Sequence, residues 1–141
     1  MRNISYRITI VIITVIAILA IMGCSNGSGS NAPKSDSPGA QTVQQVSMEE
    51  AVKAWRNQEA VFVDVRTVEE YKQGHVPGAI LIPLAEIESR RGEIPTDKKV
   101  YLICRSGNRS SQANLILQKR GIVNTYSVNG GMLDWRGDVE K

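Results

Sequence analysis

Three short apolar runs and a further strand-like segment, each stopped by turn or helix-starting residues, most constrain what this chain can fold into. Val61-Phe62-Val63-Asp64-Val65 is β-branched and apolar, long enough for a buried strand. Ala79 to Ile82 is a second run, stopped by Pro83. Lys99 to Ile103 is a third, and Asn124 to Val128 reads as another strand. Helical signals lie before, between and after them. Ser47 with Glu50 is a capping-box pair that predicts a helix from Met48 to about Asn57. Thr67 with Glu70 is another, opening a short helix that ends near Gly74. Leu84 to Arg91 reads as a short helix. Ser110 to Arg120 reads as a longer one, with Ala113, Ile116 and Leu117 on one face and Gly121 as its stop. Gly130-Gly131 leads into a last helical piece through Trp135. Continuous apolar strands alternating with helices predict an α/β domain whose mostly parallel sheet is covered on both faces. In such sheets the functional loops sit at the carboxyl ends of strands, which singles out the loops after Val65 and Ile103.

The second of these loops carries reactive chemistry. It reads Cys104, Arg105, Ser106, Gly107, Asn108, Arg109, Ser110, and a helix follows at once. The cysteine sits where a strand stops rather than inside an apolar face. Loop N–H groups can curl toward its sulfur as in anion-binding nests. The helix start adds a positive dipole end, and Arg105 and Arg109 flank the thiol. Each of these favours thiolate over thiol. Gly107 permits a left-handed turn in mid-loop, and arginine suits a tetrahedral oxyanion. A small buried hydrophobe is the bland alternative for a lone cysteine at a strand end; the surrounding cations, glycine and helix start favour the nucleophile.

Taken together, Asp64-Val65-Arg66, Glu70, Gly74-His75-Val76-Pro77-Gly78-Ala79, Ile82-Pro83, the Cys104–Ser110 loop and Gly130–Trp135 resemble the single-domain rhodaneses. Their order and spacing match from about Val46 to Arg136. The resemblance implies a rhodanese-like α/β domain, a five-stranded mostly parallel sheet with helices on both faces. It implies sulfurtransferase activity with Cys104 carrying a persulfide. A thiosulfate-like anion would be the donor; cyanide in an assay, or a thiol or protein in the cell, would be the acceptor. Residues 105 to 110 would bind substrate, with Arg105 and Arg109 holding the donor or screening the persulfide. Asp64, Arg66, Glu70 and His75 would be supports, with Arg66 pairing Glu70. His75 is the sole histidine, which suggests a Cys-His dyad, but in the family it belongs to a structural turn shaped by Pro77 and Gly78. Direct catalysis by Asp64 is disfavoured because a carboxylate beside a thiolate raises the thiol's pKa. Trp135 reads as core or pocket wall, and Glu86, Glu88, Arg90 and Arg91 as a solvated face.

Loop length separates relatives. Four residues lie between Cys104 and Arg109, whereas relatives acting on phosphate or arsenate have one more. That argues against an arsenate reductase or phosphatase. A rhodanese-like binding module, or a persulfide carrier serving a partner protein, remains the other alternative.

The amino terminus is a separate matter. Arg2 and Arg7 precede an uncharged stretch from Ile8 to Met22, shorter than the ~20 residues that span a bilayer. This pattern predicts a secretory signal peptide over residues 1–23, with an uncleaved signal anchor as the alternative. Ile21-Met22-Gly23-Cys24 resembles the bacterial lipoprotein box. That resemblance implies cleavage after Gly23, a diacylglyceryl group on Cys24 and a palmitate-type second chain, since one chain alone anchors marginally. Residues 24–42 are a Gly/Ser-rich flexible linker with a reach of roughly 25 Å, and 43–141 form the domain. The expected location is extracytoplasmic, lipid-anchored to a cell or outer membrane.

Composition excludes other classes. Arg2 and Arg7 belong to the 17 basic residues, so the remainder nearly balances the 14 acidic ones; no nucleic-acid partner is expected. Two cysteines cannot form a disulfide-rich scaffold, nor, with one histidine, a four-ligand zinc site. No metal and no cofactor are expected. With Cys24 committed to lipid, Cys104 has no resolving thiol, and an unpaired extracytoplasmic thiol is open to oxidation. Its presence in so polar a loop reads as a working nucleophile.

Overall fold

In the computed structural model, which describes residues 41–141, the four strand segments and a short additional strand assemble into one five-stranded sheet. The signal segment, Cys24 and nearly all of the linker lie outside the described residues. Strand β1 is Gln45–Val46, β2 Ala60–Asp64, β3 Ile80–Leu81, β4 Lys99–Ile103 and β5 Thr125–Val128. Their order is β1-β5-β4-β2-β3, and every neighbouring pair is parallel. The central pair is the longest: β2 and β4 run in register from Ala60 opposite Lys99 to Asp64 opposite Ile103. Both therefore end at the same level, which brings the loops after Asp64 and Ile103 side by side.

Helix α1 spans Met48–Arg56, α2 Val68–Gln73, α3 Asn108–Lys119 and α4 Gly131–Asp134. The Ser47 side chain accepts the Glu50 N–H at the start of α1, the geometry that makes serine a helix starter. At α2 the capping box is complete: Thr67 accepts from the Glu70 N–H, and the Glu70 carboxylate accepts from the Thr67 N–H. Alternation of side chains along the strands divides the core in two. One face packs Phe62, Tyr101 and Val128 against Met48, Ala51 and Val52 of α1, with Trp55 and Trp135 at its edge. The other packs Val63, Val65, Val100, Leu102 and Cys104 against Ala113 and Leu117 of α3. Each fully buried aliphatic chain contributes about 1.5–3 kcal/mol. Helices thus cover both faces, as the pattern predicts.

Three expectations change. The segment from Leu84 to Arg91 is not one helix but two short 3-10 turns, Leu84–Glu86 and Arg91–Glu93; Arg90 bridges Glu86 and Glu93 on an exposed surface. The Ala79–Ile82 run is a strand only over Ile80 and Leu81, because the Ala79 N–H is taken by the Val76 carbonyl in the preceding turn, while the Ile82 N–H still donates to the Asp64 carbonyl at 3.0 Å. Helix α3 begins at Asn108, not Ser110, so the reactive loop runs directly into it. Among the described residues no helix is long and apolar enough to cross a membrane.

Candidate active site

The loop after β4 folds into a tight ring around the sulfur of Cys104. The turn depends on Gly107, whose φ of 95° lies in the left-handed region that favours glycine. This bend aims the Gly107 N–H at the Cys104 Sγ, 3.1 Å away. Sγ also lies 3.7 Å from the Ser110 hydroxyl. Helix α3 starts on this ring with no side-chain cap and no acidic residue in its first turn. Its leading N–H groups and positive dipole end are left for the sulfur.

The far side of the ring is held by a second glycine turn. Gly131 has φ of 57°, and a side chain on it would strike the Cys104 carbonyl oxygen and the Arg105 carbonyl. Met132 and Leu133 donate their N–H groups to the carbonyls of Cys104 and Arg105, at 2.8 and 3.0 Å. The ring's acceptors are thus tied outward while its donors face inward. Beneath it the Ser110 hydroxyl lies 2.7 Å from that of Ser127, and Ser111 lies 3.2 Å from Ser127. Ser110 and Ser111 both donate to the Gly107 carbonyl. Ser127 and Ser111 were not among the sequence-predicted residues. The available signal was a serine in the middle of an otherwise buried strand.

Contrary to the expectation of a cysteine outside the apolar face, Cys104 is 1% exposed and packs with the aliphatic core. Burial pushes the thiol pKa up. Hydrogen bonding with the Ser110 backbone and hydroxyl and with the backbones of Ser106 and Gly107 outweighs it, so the net shift is downward. The site is therefore a buried sulfur whose anionic form is stabilised by oriented dipoles.

A family model described as the rhodanese-like domain matches residues 47–138. The chain belongs to the rhodanese-like family. A Bacillus subtilis protein named "Putative sulfur carrier protein YrkF" is 42% identical over 78 residues, covering 55% of this chain and 42% of that protein. A protein named "Sulfurtransferase" from Allochromatium vinosum is 38% identical over 78 residues, covering 55% of this chain and 73% of that one. Among solved structures, a rhodanese-like domain protein from Staphylococcus aureus superposes with a TM-score of 0.64 at 29% identity, covering 70% of this chain and 97% of that one. The chain thus spans less than half of YrkF.

Around the rhodanese-like ring, the two ion pairs differ from expectation. Arg66 pairs not with Glu70 but with Asp64, through Nε and Nη2 at 2.6 to 2.9 Å, and its Nη2 also reaches the Gly74 carbonyl. Both partners are buried, and Asp64 also accepts the Arg66 backbone N–H. Asp64, at the strand end, is nearer to Arg66 than the helix is. Glu70 instead takes Arg109 in a two-pronged contact of 2.6 and 2.7 Å. Hydrogen bonding to Arg109 holds the Glu70 carboxyl down at about 2, and Glu70 raises the Arg109 pKa. Arg109 is thereby anchored and its charge balanced. Arg105, Ser106 and Asn108 are exposed, and among the described residues Arg105 makes no ion pair. It is the ring's one unbalanced cation.

His75 is brought elsewhere. Its Nδ1 lies 3.0 Å from the Tyr71 carbonyl, its ring stacks on Tyr71, and its backbone bridges Glu140. These partners make it a turn-holding residue. Trp135 packs edge-on against Trp55 and Phe62, on the opposite core half from Cys104. A cavity of about 740 Å³ there, lined by Trp55, Phe62, Pro77 and Lys98 among others, lies at the amino ends of the strands and includes no ring residue.

Proposed function

We propose that the domain moves a sulfane sulfur through a persulfide on Cys104, with thiosulfate or a similar anion as donor. The observation that carries this reading is the inward Gly107 N–H at 3.1 Å from Sγ, set at an uncapped helix start. Such a ring stabilises both a thiolate and the anionic outer sulfur of a persulfide. In the first step the Cys104 thiolate attacks the outer sulfur of thiosulfate. The new Cys–S bond forms as the donor's S–S bond breaks, and sulfite leaves with that electron pair. In the second step cyanide or a thiolate attacks the outer sulfur, and Cys104 departs as thiolate. Arg105 is the cation available to the donor's sulfonate; Arg109, balanced by Glu70, shapes the ring. The relative named as a sulfur carrier favours a second form of this reading, in which the acceptor is a protein.

The location follows from the sequence expectation. A lipid on Cys24 would place this chemistry outside the cytoplasm, within linker reach of a bacterial membrane. Steady-state transfer from thiosulfate to cyanide tests the activity. The wild type turns over and Cys104→Ser does not; a Cys104→Ser protein with wild-type rate would overturn the proposal.

A further inference from the structure

A depression of about 330 Å³ opens beside the ring. Val65, Pro83, Leu84 and Ala85 supply its apolar lining, and Arg109 of the ring forms one wall. Its position is fixed by the sheet. The Val65 N–H donates to the Ile103 carbonyl at 2.9 Å, so Val65 lies level with Cys104 on the neighbouring strand. The Leu84 N–H donates in turn to the Val65 carbonyl at 3.1 Å. Val65 and Cys104 belong to the same aliphatic cluster, and Leu84 packs against it.

Polar residues also border this depression, but each is occupied elsewhere. Arg66 spends its guanidinium on Asp64 and the Gly74 carbonyl. Arg109 is balanced by Glu70. The Thr67 hydroxyl accepts the Glu70 N–H. Two guanidinium groups at the edge thus bring no free charge. An inorganic anion has nothing to bind there, whereas a hydrocarbon gains by leaving water.

We infer that this depression seats the carbon skeleton of a small organic thiol that accepts sulfur from the Cys104 persulfide. The inference rests on the sulfur-transfer reading above. The acceptor thiol loses its proton to solvent, and its thiolate attacks the outer sulfur. An R–S–S bond forms, the bond between that sulfur and Cys104 breaks, and Cys104 leaves as thiolate. No oxidant or reductant is consumed. The volume is at the small end of ligand pockets and suits a short alkyl or aryl group.

The test measures kcat/KM for ethanethiol, propanethiol and butanethiol as acceptors with thiosulfate as donor, beside cyanide. Seating the chain in the depression raises kcat/KM by about fourfold per added methylene. Ala85→Gln, at an exposed position, and Leu84→Asn flatten that series while leaving thiosulfate-to-cyanide turnover within about twofold of wild type. A flat series in the wild type, or an unchanged slope in both variants, overturns the inference while normal cyanide turnover leaves the sulfur-transfer reading standing. Absence of cyanide turnover in the wild type overturns both.

Discussion

The loops after β2 and β4 leave adjacent parallel strands at one end of the sheet, and each runs into a helix. They treat that helix start in opposite ways. After β2 the N–H groups of Arg66, Thr67 and Glu70 each find a side chain. Asp64 accepts the Arg66 N–H, Thr67 and Glu70 complete a reciprocal cap, and acids occupy the first turn of α2. After β4 the helix begins at a left-handed glycine with no cap and no acid, and the nearest acceptor for an inward N–H is the sulfur of Cys104. One loop closes itself; the other stays open to an anion. The closed loop also serves the open one, because Glu70 anchors Arg109 across the strand pair. A helix start lacking its usual acceptors, next to one that has them, marks where an external or covalent anion belongs.

The comparison breaks most severely if the open ring loses its shape. Gly131→Ala places a methyl group against the carbonyls of Cys104 and Arg105 at a positive φ. The expected cost is about 1–3 kcal/mol of stability, read by denaturant unfolding, with sulfur transfer lost beyond that stability change. Unaltered transfer in a folded Gly131→Ala protein would show that the ring's outer ties are dispensable.

A subtler variant turns the open helix start toward the closed kind. Asn108→Asp puts an acid in the first turn of α3, where a terminal charge is worth about 0.3–1 kcal/mol. Thiolate formation beside that new charge becomes harder, so the Cys104 pKa rises. In the wild type it lies below the ordinary thiol value, about 8.5. Alkylation by iodoacetamide, which follows the thiolate, therefore climbs with pH to a plateau whose midpoint is below that value. Asn108→Asp moves the midpoint upward by roughly a quarter to three quarters of a unit. A wild-type midpoint at or above 8.5 would contradict the role given to the ring.

The smallest effect sharpens the contrast from the closed side. Thr67→Ala removes the α2 cap and costs about 1 kcal/mol of stability, seen as a lower denaturation midpoint, while the alkylation midpoint of Cys104 stays in place. A shift in both would mean that the two loops act as one unit.

Local signals were legible in the chain itself. Ser47–Glu50 and Thr67–Glu70 are spaced for capping, and both helices start where those pairs stand. Strands β2 and β4 are dense in β-branched and apolar residues, and the structure places them at the sheet centre. Strand β1 was not legible as a run: only Gln45 and Val46 pair, and the edge is held by backbone bonds from Ser127 and Asn129 to Gln44 and Val46. The partner of Glu70 was illegible for a different reason. Arg66 and Arg109 are both charge-complementary to it, and sequence distance favours Arg66. Only the register of β2 with β4 brings Arg109, 39 residues away, to the α2 start. Burial of Cys104 escaped for the same reason, since the polarity of its loop neighbours says nothing of Val65 and Ala113 packing from elsewhere in the chain.

The most direct test of the persulfide account is the intact mass of the protein after incubation with thiosulfate and removal of small molecules. The account predicts a gain of one sulfur atom, located on Cys104, lost on adding cyanide and absent in Cys104→Ser. No gain in the wild type, or an equal gain in Cys104→Ser, would contradict it.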